Sequence, residues 1–128
     1  MTDALQHDVS GRLVLVVDDD RRIRSYIKTI LQSAGIQVLE AGDGVEALEV
    51  FHAWRTRIDL VITDIRMPRM TGTDLAVWLR SDCPALPLIF VSGEAVPLDM
   101  ADPNKGIFFI EKPFAPKLLL EAASQFFN

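Results

Sequence analysis

The 128-residue chain is short of several things, and each shortage narrows what it can be. It has a single cysteine, Cys83, so no intramolecular disulfide can form. That suits a reducing compartment. No apolar run approaches the ~18 residues of a membrane-spanning helix. Residues 1–12 lack the apolar stretch of a secretion signal, so a cytoplasmic protein is expected. Positive charge is scarce: 13 Lys and Arg stand against 18 Asp and Glu, a formal net charge of −5. Binding nucleic acid directly needs clustered cations on the phosphates, so that class is disfavoured. Repeats, low-complexity tracts and linkers are missing too, and the length fits one domain. What remains is an ordinary globular composition, 49% hydrophobic and 24% charged. A chain of this size buries roughly two-thirds of its unfolded surface, enough for a core.

The apolar residues fall into short blocks. Residues 1–12 read as a flexible N-terminal lead-in and 13–128 as the domain. Leu13–Val17 is a continuous apolar, β-branched run, the pattern of a strand buried on both faces. Ile23, Ile27, Ile30 and Leu31 then recur at helical spacing over 21–33, with Gly35 as a stop. A second strand is predicted over 36–40. Asp43 and Glu46 have capping-box spacing and open a helix with Ala47, Leu48 and Phe51 inward. A third strand over 58–63 runs into Asp64. Turn residues at 68–72 precede a helix with Leu75 and Leu79 inward, ending near Arg80. Leu88–Val91 and Ile107–Ile110 read as two more strands. Residues 94–106 contain Pro97 and Pro103, which put a fourth helix there in doubt. A last helix is predicted over 116–127, with Leu119, Ala122, Ala123 and Phe126 on one side. Five strands alternating with helices imply right-handed crossovers and a parallel sheet covered on both faces. The expected fold is α/β, a three-layer doubly wound five-stranded parallel sheet.

Four features follow predicted strands: Asp18, Asp19 and Asp20 after the first, Asp64 after the third, Ser92 after the fourth and Lys112 after the fifth. In doubly wound sheets ligands sit outside the carboxyl ends of the strands, where the strand order reverses. With the flavodoxin-like order 2-1-3-4-5, Asp18, Asp19 and Asp64 converge there, and Ser92 and Lys112 line the adjacent side. Two carboxylates about 4 Å apart repel by roughly 4 kcal/mol at an effective dielectric of ~20. Such a cluster calls for a counter-charge, for which a hard oxygen-bound cation such as Mg²⁺ is suited. A carboxylate beside Mg²⁺ and an ammonium can attack a phosphoryl group, while the cations neutralise charge on the transferring group. Asp20, directly before the first helix, reads instead as its N-cap.

Val16–Asp20 (VVDDD), Leu60–Pro68 (LVITDIRMP), Phe90–Gly93 (FVSG) and Glu111–Phe114 (EKPF), in this order and each at a strand end, resemble the response-regulator receiver domain. The resemblance runs from about Leu13 to the C-terminus. It implies a signalling switch, not a conventional enzyme, in which Asp64 accepts a phosphoryl group from a sensor histidine kinase or phosphotransfer protein. It further implies Mg²⁺ (or Mn²⁺) held by Asp19 directly, by Asp18 through water, by Asp64 and by the backbone carbonyl of Arg66. Ser92 matches the switch hydroxyl, Lys112 the lysine that contacts the phosphoryl group, and Phe109 the position of a rotating aromatic. The Lys112–Pro113 bond is expected to be cis. The downstream partner is left open, as is the choice between monomer and weak dimer. No nucleic acid or membrane is expected as a direct partner.

Three positions depart from the usual pattern in an informative way. Phe109 lacks the hydroxyl of the tyrosine often found there. Arg66 and Glu94, two residues after Asp64 and Ser92 respectively, flank the site and are expected to pair across its mouth and restrict water. Two other classes fit less well. An aspartate-nucleophile phosphohydrolase of the dehalogenase type lacks support, because Asp64 is on the third strand and there is no cap insertion. An FMN-binding flavodoxin would need a phosphate-cradling loop after the first strand, and here that loop is acidic.

Overall fold

The computed structural model describes residues 9–94 and 105–127. Along these the elements run β1 (Leu13–Val17), α1 (Arg21–Ser33), β2 (Gln37–Ala41), α2 (Gly44–Trp54), β3 (Leu60–Asp64), α3 (Gly72–Asp82), β4 (Leu88–Ser92), β5 (Ile107–Glu111) and α4 (Pro116–Ser124). All strand pairings are parallel and the order is β2-β1-β3-β4-β5, as expected. The doubtful helix within 94–106 lies almost wholly outside the described residues.

Side chains of a strand point alternately to opposite faces, and this divides the core in two. Val14, Val16, Leu60, Ile62, Ile89 and Val91 face α1 and α4, meeting Ile27, Leu31, Leu119 and Ala123. Leu13, Leu15, Val17, Val61, Leu88 and Phe90 face α2 and α3, meeting Ala47, Phe51, Leu75 and Leu79. That is the three-layer arrangement. The inner strands β1, β3 and β4 are buried throughout, whereas β2 and β5 are only partly buried. An inner strand needs apolar residues on both faces, which is why β1 shows no alternation. Removing a core leucine such as Leu15 costs about 2–5 kcal/mol, because the site is fully enclosed.

Local signals set the helix ends. The Asp20 carboxylate accepts the Arg22 N–H at 2.9 Å and caps α1, as the sequence indicated. Gly35 has φ +83°, a left-handed conformation that glycine adopts without Cβ strain, and the chain turns there into β2. Asp43 accepts the Glu46 N–H at 2.8 Å, while the Glu46 carboxylate reaches back to the Gly42 N–H at 2.6 Å. The box thus closes one residue earlier than its usual form.

Several boundaries differ from those read in the sequence. β2 and β3 lie one to two residues later, so Asp64 is the last residue of its strand and not the first beyond it. α4 stops at Ser124, and the buried aromatic beyond it is Phe127 at 1% exposure, with Phe126 only partly buried. The chain leaves helical geometry there, which shifts the inward position by one. Within the stretch read as lead-in, Val9 is buried against the α1 face and the Gly11 N–H bonds to the Gly35 carbonyl at 3.2 Å. No helix among the described residues is long and apolar enough to cross a membrane.

Candidate active site

β1 and β3 are neighbours, but their following helices leave to opposite faces of the sheet. The crevice that opens at this reversal receives the ends of both strands. Asp18 and Asp19 enter from β1 and Asp64 from β3. A carboxylate oxygen from each lies within 4.8 Å of the other two. Asp18 and Asp64 are 1% and 8% exposed, while Asp19 faces solvent. The geometry therefore joins two buried acids to one exposed acid at the rim.

Asp18 is held at four points. Its N–H bonds the Ala41 carbonyl at 3.2 Å, and its carbonyl accepts Arg24 Nη1 at 2.6 Å. One carboxylate oxygen accepts the Asp20 N–H at 2.8 Å and the other accepts Lys112 Nζ at 3.2 Å. Lys112, 94 residues away in sequence, also reaches Asp64 Oδ2 at 3.6 Å. Its backbone N–H donates to the Ser92 carbonyl at 2.7 Å, which locks the end of β5 to the end of β4. The Lys112–Pro113 bond is cis, as the resemblance implied.

Asp64 sits opposite Val91 in the β3–β4 register, so Ser92 lies one position further along the neighbouring strand. Ser92 is 2% exposed and its hydroxyl accepts the Glu94 N–H at 3.1 Å. The Arg66 N–H lies 3.4 Å from Asp64 Oδ1, and the Arg66 guanidinium forms an ion pair with Glu94. Both side chains of that pair are mostly exposed, at the mouth of the crevice. Phe109 is half-buried and stacks on Phe90 with ring centroids 5.1 Å apart, on the α2–α3 side of the sheet.

Burial is the largest influence on the two inner acids and raises the carboxyl pKa of each above its ordinary value. For Asp18 the Asp20 N–H and Lys112 oppose this, and Asp64 adds to it. For Asp64 the Lys112 ammonium and the Arg66 N–H oppose it, and Asp19 adds to it. Three carboxylates face one ammonium, so the cluster lacks counter-charge. Oxygen-only donors with excess negative charge fit a hard divalent cation.

Two features of the site were not read from the sequence as functional. Arg24 lies in the first helix, where only the apolar positions Ile23, Ile27, Ile30 and Leu31 carried a signal. Gly72 looked like a turn residue, yet a Cβ there would stand 2.1 Å from the Asp64 carbonyl oxygen. Its N–H donates to the Ile65 carbonyl at 2.8 Å, so the start of α3 is pressed against the strand end that presents Asp64. The only available signal was a glycine eight residues after an aspartate, which is too common to be informative.

Comparison with known proteins agrees with this architecture. The response regulator receiver domain family matches residues 14–124. The sensor kinase CckA of Brucella abortus is 40% identical over 117 residues, covering 88% of this chain and 12% of that protein. The response regulator MprA of Mycobacterium leprae is 38% identical over 109 residues, covering 84% of this chain and 47% of that one. The chain thus spans less than half the length of these curated relatives. Among solved structures, the receiver domain of the hybrid histidine kinase CckA superposes with a TM-score of 0.78 at 33% identity, covering 91% of this chain and 99% of that one. A receiver domain from Clostridium thermocellum gives a TM-score of 0.79 at 29% identity, covering 90% and 94%.

Proposed function

The chain belongs to the response regulator receiver domain family, whose members serve phosphorelay signalling, and on that premise we propose that Asp64 is its phosphoacceptor. The observation that carries this reading is the convergence of Asp18, Asp19 and Asp64 within 4.8 Å, with Lys112 on both buried acids. In the proposed step an Asp64 carboxylate oxygen attacks phosphorus as the bond from phosphorus to the donor's imidazole nitrogen breaks. The electron pair leaves on that nitrogen, and an aspartyl-phosphate forms. Lys112 Nζ, already at Asp64 Oδ2, follows the charge onto a phosphoryl oxygen. The Ser92 hydroxyl, at the end of the adjacent strand, donates to another.

Asp19, Asp64, Asp18 through water and the Arg66 carbonyl would hold a Mg²⁺ or Mn²⁺ ion. Such an ion, when bound, neutralises charge on the phosphoryl oxygens. The raised pKa values of Asp18 and Asp64 support a pocket that is under-compensated without one.

A relative named as a sensor kinase, and a solved neighbour that is the receiver domain of a hybrid histidine kinase, support a histidine kinase or phosphotransfer protein as donor. Engagement of Ser92 and repacking of Phe109 on Phe90 would then bias a protein-binding surface between two states. Intact-mass measurement after incubation with acetyl phosphate tests the reading. A gain of one phosphoryl group that needs Mg²⁺ and disappears in Asp64→Asn is expected. A gain that persists in Asp64→Asn would refute the assignment of the acceptor.

A further inference from the structure

Arg24 touches none of the three carboxylates, yet it is bonded into the loop that presents two of them. Its Nη1 donates to the Asp18 carbonyl at 2.6 Å and its Nε to Glu40 Oε1 at 3.1 Å. Lys28, one helical turn further along α1, donates to Glu40 Oε2 at 2.9 Å. The fork of the guanidinium thus spans from the β1–α1 loop to the edge strand β2. Its side chain is only 18% exposed, so the two bonds are partly shielded from water.

The Asp18 N–H donates to the Ala41 carbonyl, in the same edge strand that carries Glu40. The peptide carrying the first acid is therefore gripped on one side by the β2 backbone and on the other by an arginine anchored to a β2 side chain. Arg24 rides on α1, whose N-cap is Asp20. The acidic loop, the first helix and the edge strand meet at this one guanidinium.

We propose that Arg24, aimed by Glu40, is a positioning residue that sets the direction of the Asp18 and Asp19 carboxylates and so the affinity of the acidic pocket for a divalent cation. This rests on the reading of that pocket as a metal site. The mechanism is geometric. A residue that orients ligands from behind typically changes metal affinity by about 10–100-fold when removed. A lysine cannot replace it, because a single ammonium cannot offer two donors in a fixed plane to the Asp18 carbonyl and the Glu40 carboxylate together. A role through charge alone predicts otherwise at Arg24: removing a cation near the pocket would strengthen cation binding, and Arg24→Lys, which keeps the charge, would leave it unchanged.

The test is Mn²⁺ binding to the full chain, read by electron paramagnetic resonance of the free ion, with urea denaturation in EDTA as the fold control. Arg24→Ala is expected to weaken binding about tenfold, and Arg24→Lys to weaken it nearly as much. Glu40→Gln is expected to weaken it less, and in Arg24→Ala/Glu40→Gln the two losses should not add, because both act through one guanidinium. Tighter binding by Arg24→Ala, or full affinity in Arg24→Lys, overturns the proposal. If Arg24→Ala does not fold, Arg24→Lys decides the matter by itself. Failure of the wild-type chain to bind Mn²⁺ would instead refute the metal-site reading, and with it this proposal.

Discussion

Replacing Asp64 by asparagine should make the metal-free protein more stable, although it removes the residue on which the proposed function depends. The unfolded chain ionises an aspartate at an ordinary pKa of about 3.9. In the folded chain burial raises that value for Asp64. A raised carboxyl pKa means the ionised form is disfavoured by folding, so the cost is fully present above the folded pKa and vanishes as the pH falls below the unfolded one. The Coulomb contributions oppose one another. Repulsion from an acidic neighbour at up to 4.8 Å is about 3.5 kcal/mol at an effective dielectric of ~20, and attraction to Lys112 at 3.6 Å is about 4.6 kcal/mol. With two acidic neighbours, Asp18 and Asp19, the repulsion is not fully offset by Lys112, and burial, the largest influence, acts in the same direction. The gain for Asp64→Asn is expected to be of the size usual for relieving one incompletely paired buried polar group, about 1–2 kcal/mol, or roughly 3–8 °C in Tm for a chain of this size. Thermal denaturation in EDTA at pH 7 measures it. The advantage should shrink toward pH 4. Added Mg²⁺ should narrow it too, because an ion at ten times its Kd stabilises the wild type by about 1.4 kcal/mol and the variant by less. An Asp64→Asn protein that melts at or below the wild-type temperature in EDTA would refute the reasoning.

Three other perturbations follow from the same geometry. Arg66→Ala and Glu94→Ala should each shorten the lifetime of the phosphorylated form several-fold by opening the crevice mouth to water; unchanged decay of the phosphorylated mass in both would show that the pair does not gate hydrolysis. Because both side chains are mostly exposed, neither change should alter stability by more than about 0.5 kcal/mol. Gly72→Ala should destabilise by about 1–3 kcal/mol in urea denaturation, since its Cβ would stand 2.1 Å from the Asp64 carbonyl and the start of α3 must retreat; a stability loss no larger than that of Gly93→Ala, where a Cβ meets nothing, would contradict this. Glu40 has its pKa lowered, chiefly by its hydrogen bond from Lys28, so its contribution is present above the unfolded pKa and lost as pH falls through the lower folded value. Wild type should thus exceed Glu40→Gln in stability at pH 7, and the gap should close below about pH 4; a gap independent of pH would rule out the ion pairs as its source.

The parts of the molecule legible in the sequence are those encoded by neighbours in the chain. β1 was visible because an inner strand of a parallel sheet must be apolar on both faces, and Leu13–Val17 is. Asp20 and Asp43 were visible as caps because a cap bonds an N–H two or three residues on. The acids, Ser92 and Lys112 were visible because each lies at or just beyond the carboxyl end of a strand, and in this topology strand ends share one edge. Phe127 was misplaced in favour of Phe126 because helical periodicity was extended past Ser124, where the helix stops.

What the sequence by itself determined, then, was the order of elements, the α/β class and the set of residues gathered at the carboxyl edge of the sheet. Each of these depends on periodicity or on a residue's place beside a strand. Tertiary structure alone decided that Lys112 lies on both Asp18 and Asp64, that Arg24 holds the Asp18 carbonyl from behind, and that Gly72 leaves room for the Asp64 peptide. The cause is separation: Asp18 and Lys112 are 94 positions apart, and a contact at 3.2 Å across that distance is set by how strands register and helices pack, which no local pattern records.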